Sequence, residues 1–311
     1  MMDTPRIAVL YGGISKERDV SLGSGLAAAA ALEANFEVDR FDVKDRESLP
    51  EGLDPKRHVV FSTLHGSFGE DGSMQQLLED AGVVYAGCDV ASSALTFDKA
   101  ETKRVMKEAG VPVADEIVFE LPQKPTVERV LGELGPSIVL KPVAQGSSVG
   151  LVFAQGETEI AAALESVEEG KWLIEPRIQG RETTIGILHG KPLDIVEIRP
   201  RTGRFDYESK YTKGLTEYIA PAPLNEKLAE RIRNLATIAF EACGCRDYAR
   251  IDIMIDEHEN LYFLEINTLP GLKETSLLPM SAAGCGYNFE ELLQKLVEPA
   301  ILRYKLKYSI C

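Results

Sequence analysis

The stretch YARIDIMIDEHENLYFLEINT, residues 248–268, decides how this chain is read. Two apolar runs with a period of two flank the polar turn Glu257, His258, Glu259 and Asn260, which is the pattern of an antiparallel hairpin. Side chains alternate along a strand, so Ile251, Ile253 and Ile255 point one way and Arg250, Asp252 and Met254 the other. On the returning strand, Leu264 and Ile266 oppose Glu265 and Asn267 in the same manner. A two- or four-residue loop then places Asp252 opposite Glu265 and Arg250 opposite Asn267. Two carboxylates facing each other across a ladder repel, and a bound divalent cation removes the repulsion. Asp, Glu and Asn are hard oxygen donors suited to Mg²⁺ that also holds substrate phosphates. A second reading stands beside this one: a polar sheet face on which Arg250 alone neutralises the acids.

Upstream, the apolar strand Ser137–Lys141 runs into the Gly/Ser loop Pro142–Gly150. A lysine at a strand end beside such a loop offers a cation and several backbone N–H donors to phosphate oxygens. The same composition suits an ordinary mobile surface loop, and both readings stay open. No Walker A loop occurs anywhere in the chain, and neither N-terminal glycine-rich loop follows the dinucleotide pattern. Between these regions lies a polar segment, residues 201–219, without a helical or strand period. Long loops of this kind are lids or disordered. The aromatics Phe205, Tyr207 and Tyr211 favour a lid, which would bring Lys210 to a phosphate on closure and exclude water.

Towards the N-terminus, strands at Arg6–Tyr11, Phe36–Phe41 and His58–Leu64 alternate with helices from Ser21 (a candidate N-cap) to Ala34 and at Met74–Ala81. Alternation of this kind predicts a parallel sheet with ligand loops at the carboxyl ends of its strands. The loops at Gly12-Gly13 and at residues 64–72 sit at such ends. A charged helix over 93–110 carries Lys99, Lys103, Arg104 and Lys107 and opens a second unit. A strand at Lys171–Glu175 leads to a joint at Gln179-Gly180. The last unit then has a strand near Thr183–Leu188 and a helix over 225–243.

Composition narrows the classes further. The chain has 311 residues, which suits two or three domains. A formal net charge of −15 excludes a broad basic surface for nucleic acid. Five cysteines at irregular spacing give neither a zinc pattern nor a disulfide framework. No signal peptide and no apolar run of membrane-spanning length is apparent, so the expectation is a cytoplasmic protein with no membrane partner.

Seven ordered segments resemble the D-alanine–D-alanine ligases of the ATP-grasp superfamily, over residues 6 to about 300. They are Gly12-Gly13 with residues 15–21; Leu64-His65-Gly66 with residues 69–72; Phe97-Asp98-Lys99; and Lys141-Pro142 with residues 146–150. Residues 206–211, Arg250-Ile251-Asp252, and residues 265–271 followed by Ser276-Leu277 complete the set. The resemblance implies an α/β (α+β overall) fold of three domains, with ATP held between the second and third. Their expected bounds are 1–95, 96–179 and 180–311, with the lid at about 201–219. It implies ATP-dependent joining of two D-alanines through an acyl phosphate, for peptidoglycan precursor synthesis, with Mg²⁺ (or Mn²⁺) as cofactor and a homodimer as the usual assembly.

Residue roles follow from the same resemblance. Lys99, Lys141 and Lys210 face the phosphates, while Asp252, Glu265 and Asn267 hold the metal. Arg250 stabilises the acyl phosphate and the oxyanion. Glu17, coupled to Ser147 and Tyr211, holds the ammonium of the first D-alanine, with His65 nearby. Gly271, Ser276 and Leu277 receive the second. Glu175 and Glu182 match positions that hold the adenine amino group and the ribose hydroxyls. Read as residues alone, His65 also suits a structural turn, Glu182 a solvated sheet position, and Glu175 a strand-end group before Pro176. Gln145, often glutamate in the family, and Lys273-Glu274, in place of small and hydroxylated residues, depart from the pattern near the acceptor. A D-lactate or D-serine acceptor is the alternative within the family; D-lactate-using relatives lack a tyrosine at the place of Tyr211. A nucleotide-binding regulator without turnover should have lost a metal ligand or the lid lysine, and none is missing.

Overall fold

The computed structural model describes residues 5–146, 149–203, 209, 212 and 214–309. Its first sheet is parallel, in the order β2-β1-β3-β4, built from β1 (Arg6–Gly12), β2 (Val38–Val43), β3 (His58–Ser62) and β4 (Val84–Tyr85). Both faces are covered, as a parallel sheet requires. Ile7, Val9, Val59 and Phe61 belong to one buried cluster, while Ala8, Leu10 and Val60 belong to another. Helix α1 (Arg18–Leu32) lies on the first face and α2 (Ser73–Asp80) on the second.

Ser21 is not the N-cap of α1. The helix starts three residues earlier with Glu17 at the cap, and the buried Ser21 hydroxyl instead accepts from the Gly12 amide at 2.9 Å. The expected second strand is also displaced, by two residues, to Val38–Val43. The helix expected over 93–110 is two helices, α3 (Val90–Phe97) and α4 (Lys99–Glu108). Asp98 has extended backbone between them and caps α4 by accepting from the Glu101 amide at 2.9 Å. A short polar side chain that competes for backbone donors is what divides the expected helix into an uncharged and a charged part.

A second, antiparallel sheet in the order β5-β8-β6-β7 comprises β5 (Ile117–Glu120), β8 (Lys171–Pro176), β6 (Ser137–Pro142) and β7 (Val152–Gln155). With α5 (Val127–Leu134) and α6 (Gly156–Glu165) it encloses its own core around Ile138, Leu140, Ile160 and Ile174.

The third sheet is also antiparallel, in the order β11-β10-β9-β12-β13. Its strands are β9 (Gly180–Leu188), β10 (Lys191–Pro200), β11 (Thr216–Ile219), β12 (Tyr248–Asp256) and β13 (Leu261–Asn267). Helix α7 (Glu226–Ala242) packs on it, and α8 (Leu277–Gly284) lies across β9 and β10. β11 is the end of the segment expected as lid, so those four residues are paired backbone rather than loop. The final helix, α9 (Phe289–Ser309), returns to the first sheet. There Leu292, Leu296 and Ala300 share a cluster with Ile7, Phe61 and Tyr248. The first and third sheets therefore share a core, and the second keeps its own. Pro299 sits inside α9 and has no N–H for the Lys295 carbonyl; His189 Nε2 donates to that oxygen at 2.8 Å.

Candidate active site

The β12–β13 hairpin carries the centre of the site. Arg250 pairs with Asn267 and Asp252 with Glu265, as the alternation predicts, but by another route. The turn is a three-residue loop, in which Asp256 N donates to Asn260 O at 3.0 Å and Glu259 adopts φ +61. A loop of that length shifts the register, and Ile253 pairs with Phe263. A bulge between Asp252 and Ile253 restores it. The bulge also turns Leu264 to the cavity side beside Glu265, against the expectation that it shares the core face of Ile266.

The acids of this hairpin are held tightly. Arg250 donates Nε to Asp252 Oδ1 at 2.9 Å and Nη2 to Oδ2 at 2.8 Å. Thr184, on the adjacent β9, donates to Asp252 Oδ1 at 2.5 Å. Burial opposes the charge of Arg250, and the carboxylates of Asp252, Glu265 and Glu70 outweigh it and raise its pKa. Asn267 Nδ2 stands 3.1 Å from Asp252 Oδ2 and 3.5 Å from Glu265 Oε1, so all three expected metal ligands converge on one point.

Facing this acidic wall is the second sheet. Lys141, at the end of β6, places Nζ 2.5 Å from Glu175 Oε1 on β8. Lys99, the first residue of α4, donates to the Gln145 carbonyl at 2.7 Å and lies 3.5 Å from Glu265. It thereby ties the Pro142–Gly150 loop to the hairpin. A cavity of about 750 Å³ opens between the walls. Lys99, Lys141, Glu175, Glu182, Asp252 and Glu265 all line it, with Phe153, Ile178, Met254 and Leu264 as its apolar surfaces. Glu182 is a half-buried cavity residue, not a solvated one. Glu175 is buried and its carboxylate is shared between Lys141 and Lys103. At one edge of the cavity Arg181 and Arg199 each make two hydrogen bonds to Glu197.

A second focus lies at the carboxyl ends of β1 and β3. Glu17 is buried, and glycines surround it. A Cβ at Gly66 would stand 2.7 Å from Glu17 Oε2, and one at Gly146 would stand 3.0 Å away. His65 is buried too, with Nε2 3.3 Å from Ser24 Oγ and Nδ1 3.4 Å from Glu70 Oε1. Ser24 Oγ also accepts from the Leu272 amide at 3.3 Å, which joins this loop to the segment carrying Gly271. Ser276 is the N-cap residue of α8 and Leu277 its first residue, so backbone N–H groups of a helix start point from this place. Lys273 lies over α1, its Cε 2.4 Å from where a Cβ of Gly23 would be. The expected residues Ser147, Lys210 and Tyr211 lie outside the described residues.

Sequence reading overlooked three side chains that matter here: Thr184, Glu70 and Lys103. For Lys103 a signal existed, because it stands four residues after Lys99 and so shares its helix face.

Comparison with known proteins agrees with this architecture. The family model described as D-ala D-ala ligase C-terminus matches residues 105–298. The D-alanine–D-alanine ligase of Syntrophotalea carbinolica is 41% identical over 303 residues, covering 96% of this chain and 97% of that one. The corresponding protein of Thermotoga petrophila is 39% identical over 313 residues, covering 97% and 99%. Among solved structures, the D-alanine–D-alanine ligase of Bacillus anthracis complexed with ATP superimposes with a TM-score of 0.84 at 30% identity, covering 97% and 99%. The VanG D-Ala:D-Ser ligase of Enterococcus faecalis gives 0.83 at 27% identity, covering 96% and 100%. The three-sheet arrangement is the multi-domain ATP-grasp fold of these ligases, and the chain belongs to the D-alanine–D-alanine ligase family.

Proposed function

We propose that this protein is an ATP-dependent ligase that joins two D-alanines to D-alanyl-D-alanine for peptidoglycan synthesis. The observation that carries the reading is the cavity whose walls are opposite in charge, Lys99 and Lys141 facing Asp252 and Glu265. Phosphoryl transfer needs positioning and charge stabilisation more than covalent chemistry, and these residue types supply both. A carboxylate oxygen of the first D-alanine attacks the γ-phosphorus, and the bond to the β–γ bridging oxygen breaks to release ADP. The amine of the second attacks the acyl carbon after losing a proton. The tetrahedral intermediate then expels phosphate, leaving the amide.

Within this reading Lys99, Lys141 and the lid lysine Lys210 bind the phosphates. Arg250, half-buried beside Asp252, stabilises the acyl phosphate and the oxyanion. Glu17, with Ser147 and Tyr211, holds the first ammonium, and His65 packs beside it. Gly271, Ser276 and Leu277 receive the acceptor carboxylate at the start of α8. Glu175 and Glu182 flank the adenosine. The hairpin donors suit a divalent cation: two carboxylates meet an amide whose half-turn presents oxygen to the same point. Asp252, Glu265 and Asn267 would hold Mg²⁺ (or Mn²⁺). Bound there, the ion would supply positive charge against the phosphate oxygens. Units spanning 1–95, 96–179 and 180–311, a cytoplasmic location and a homodimer belong to the same proposal, the homodimer resting on the resemblance.

D-serine or D-lactate as acceptor is the second reading, and the likeness to a D-Ala:D-Ser ligase makes it the one to test. The presence of Tyr211 in the sequence favours D-alanine over D-lactate. Phosphate release with ATP, Mg²⁺ and D-alanine should proceed without another acceptor, and L-alanine should not replace it. Turnover that starts only when D-serine or D-lactate is added would overturn the choice of acceptor.

A further inference from the structure

Lys103 has no part in the roles above, yet it is the one lysine or arginine that is fully buried among the described residues. It projects from α4 between two carboxylates. Its Nζ donates to Glu175 Oε2 at 3.0 Å and lies 2.7 Å from Glu116 Oε2, an ion pair without hydrogen-bond alignment. Glu175 accepts from Lys141 on its other oxygen, and Glu116 accepts from Lys107 at 2.6 Å on its other oxygen. Lys141, Glu175, Lys103, Glu116 and Lys107 thus form one chain of alternating charge. It runs from the cavity wall through the interior to the half-exposed Lys107.

We propose that Lys103 is a positioning residue, the standby counter-ion of Glu175, which lets Lys141 turn to the phosphates of ATP without leaving a buried carboxylate unpaired. The proposal rests on the reading of Lys141 as a phosphate-facing cation. In the structure Lys141 Nζ is committed to Glu175, so a phosphate must compete with that carboxylate for it. A buried carboxylate whose partner departs is strongly disfavoured. The cluster holds three ammoniums against two carboxylates, and when Lys141 leaves, Lys103 and Lys107 still balance Glu175 and Glu116. Without Lys103, the departure of Lys141 leaves Lys107 alone against both, and Lys107 touches only Glu116. Burial pushes the Glu175 carboxyl towards its neutral form, and the two lysines outweigh that and hold its pKa below the ordinary value. Glu175 therefore stays ionised and keeps needing a partner.

The test compares a ligand that needs Lys141 with one that does not. ADP with Mg²⁺ and adenosine are titrated calorimetrically into the wild type, Lys141→Met, Glu116→Gln and Lys103→Met/Glu116→Gln. The double variant keeps the net charge of the cluster, which protects its folding. It should lose roughly tenfold or more in ADP affinity and less than about twofold in adenosine affinity. Glu116→Gln alone should stay within about threefold of the wild type for ADP, because Lys103 still faces Glu175. The KM for ATP of the double variant should rise more than its kcat falls. If Lys141→Met binds ADP as the wild type does, the phosphate role of Lys141 falls, and this proposal with it. If Lys141→Met is weakened while the double variant binds ADP normally, or loses adenosine equally, the role of Lys103 alone is overturned.

Discussion

The two walls of the cavity are built on opposite principles. On the hairpin, Asp252 and Glu265 outnumber Arg250, and the donors sit on neighbouring strands of one sheet. On the second sheet and α4, Lys103, Lys107 and Lys141 outnumber Glu175 and Glu116, and the partners come from separate elements. In the proposed reading, an excess of oxygen donors on one side and of ammoniums on the other suits a metal–triphosphate, with the cation at the first wall and the anion at the second. The walls also differ in backing. The hairpin shares a core with α7 and with Met106 of α4, the helix of Lys99, Lys103 and Lys107, whereas Lys141 and Glu175 stand on a sheet that has its own small core.

Removing Arg250 attacks this contrast most directly. Arg250→Met should lower the rate of phosphate release by roughly 10²–10³-fold, because it removes a preorganised donor and leaves the acidic wall without its cation. A loss smaller than tenfold would mean that Arg250 only neutralises the sheet. Next in size is Asp252→Asn, which should raise the Mg²⁺ concentration for half-maximal rate by about tenfold or more. An unchanged Mg²⁺ dependence would remove the metal from the hairpin.

The basic wall is sharpened by pH. The acid pKa of Glu175 is lowered from its ordinary 4.5. Its stabilising contribution is therefore complete above that value and is lost as pH falls through the lowered one. Wild type should melt above Glu175→Gln at neutral pH, and the two melting curves should converge on acidification. A gap that stays constant or widens below pH 4.5 would contradict the ion-pair account. The smallest effect lies at the hairpin tip, where Glu259 holds φ +61. Glu259→Gly should stabilise the fold by about 1 kcal/mol with turnover unchanged. A lowered melting temperature would mean that the Glu259 side chain matters more than its backbone.

Much of the site was legible because chemistry-bearing residues stand at strand ends and on one sheet face. The pairing of Arg250 with Asn267 and of Asp252 with Glu265 was read correctly although the loop has three residues rather than two or four, because the bulge compensates. Only Leu264 shows the difference. Lys103 was named only among the charges of a helix and given no role, since its partner Glu175 is 72 residues away. The break between α3 and α4 was missed because neither Gly nor Pro marks it, and the capping Asp98 alone separates the uncharged α3 from the charged α4. Strands β5, β7 and β11 are four residues each, too short for alternation to register. The resemblance, rather than any periodicity, supplied the roles of Glu17 and of the loop before α8. Their neighbours meet only in the fold, as Gly66 and Gly146 do around Glu17.

The most direct measurement of the central claim follows oxygen. The enzyme is supplied with ATP, Mg²⁺ and D-alanine carrying ¹⁸O in both carboxylate positions, and the released phosphate is weighed. Ligation through an acyl phosphate predicts one ¹⁸O atom in the phosphate for each dipeptide formed. Dipeptide formed with unlabelled phosphate would contradict the account.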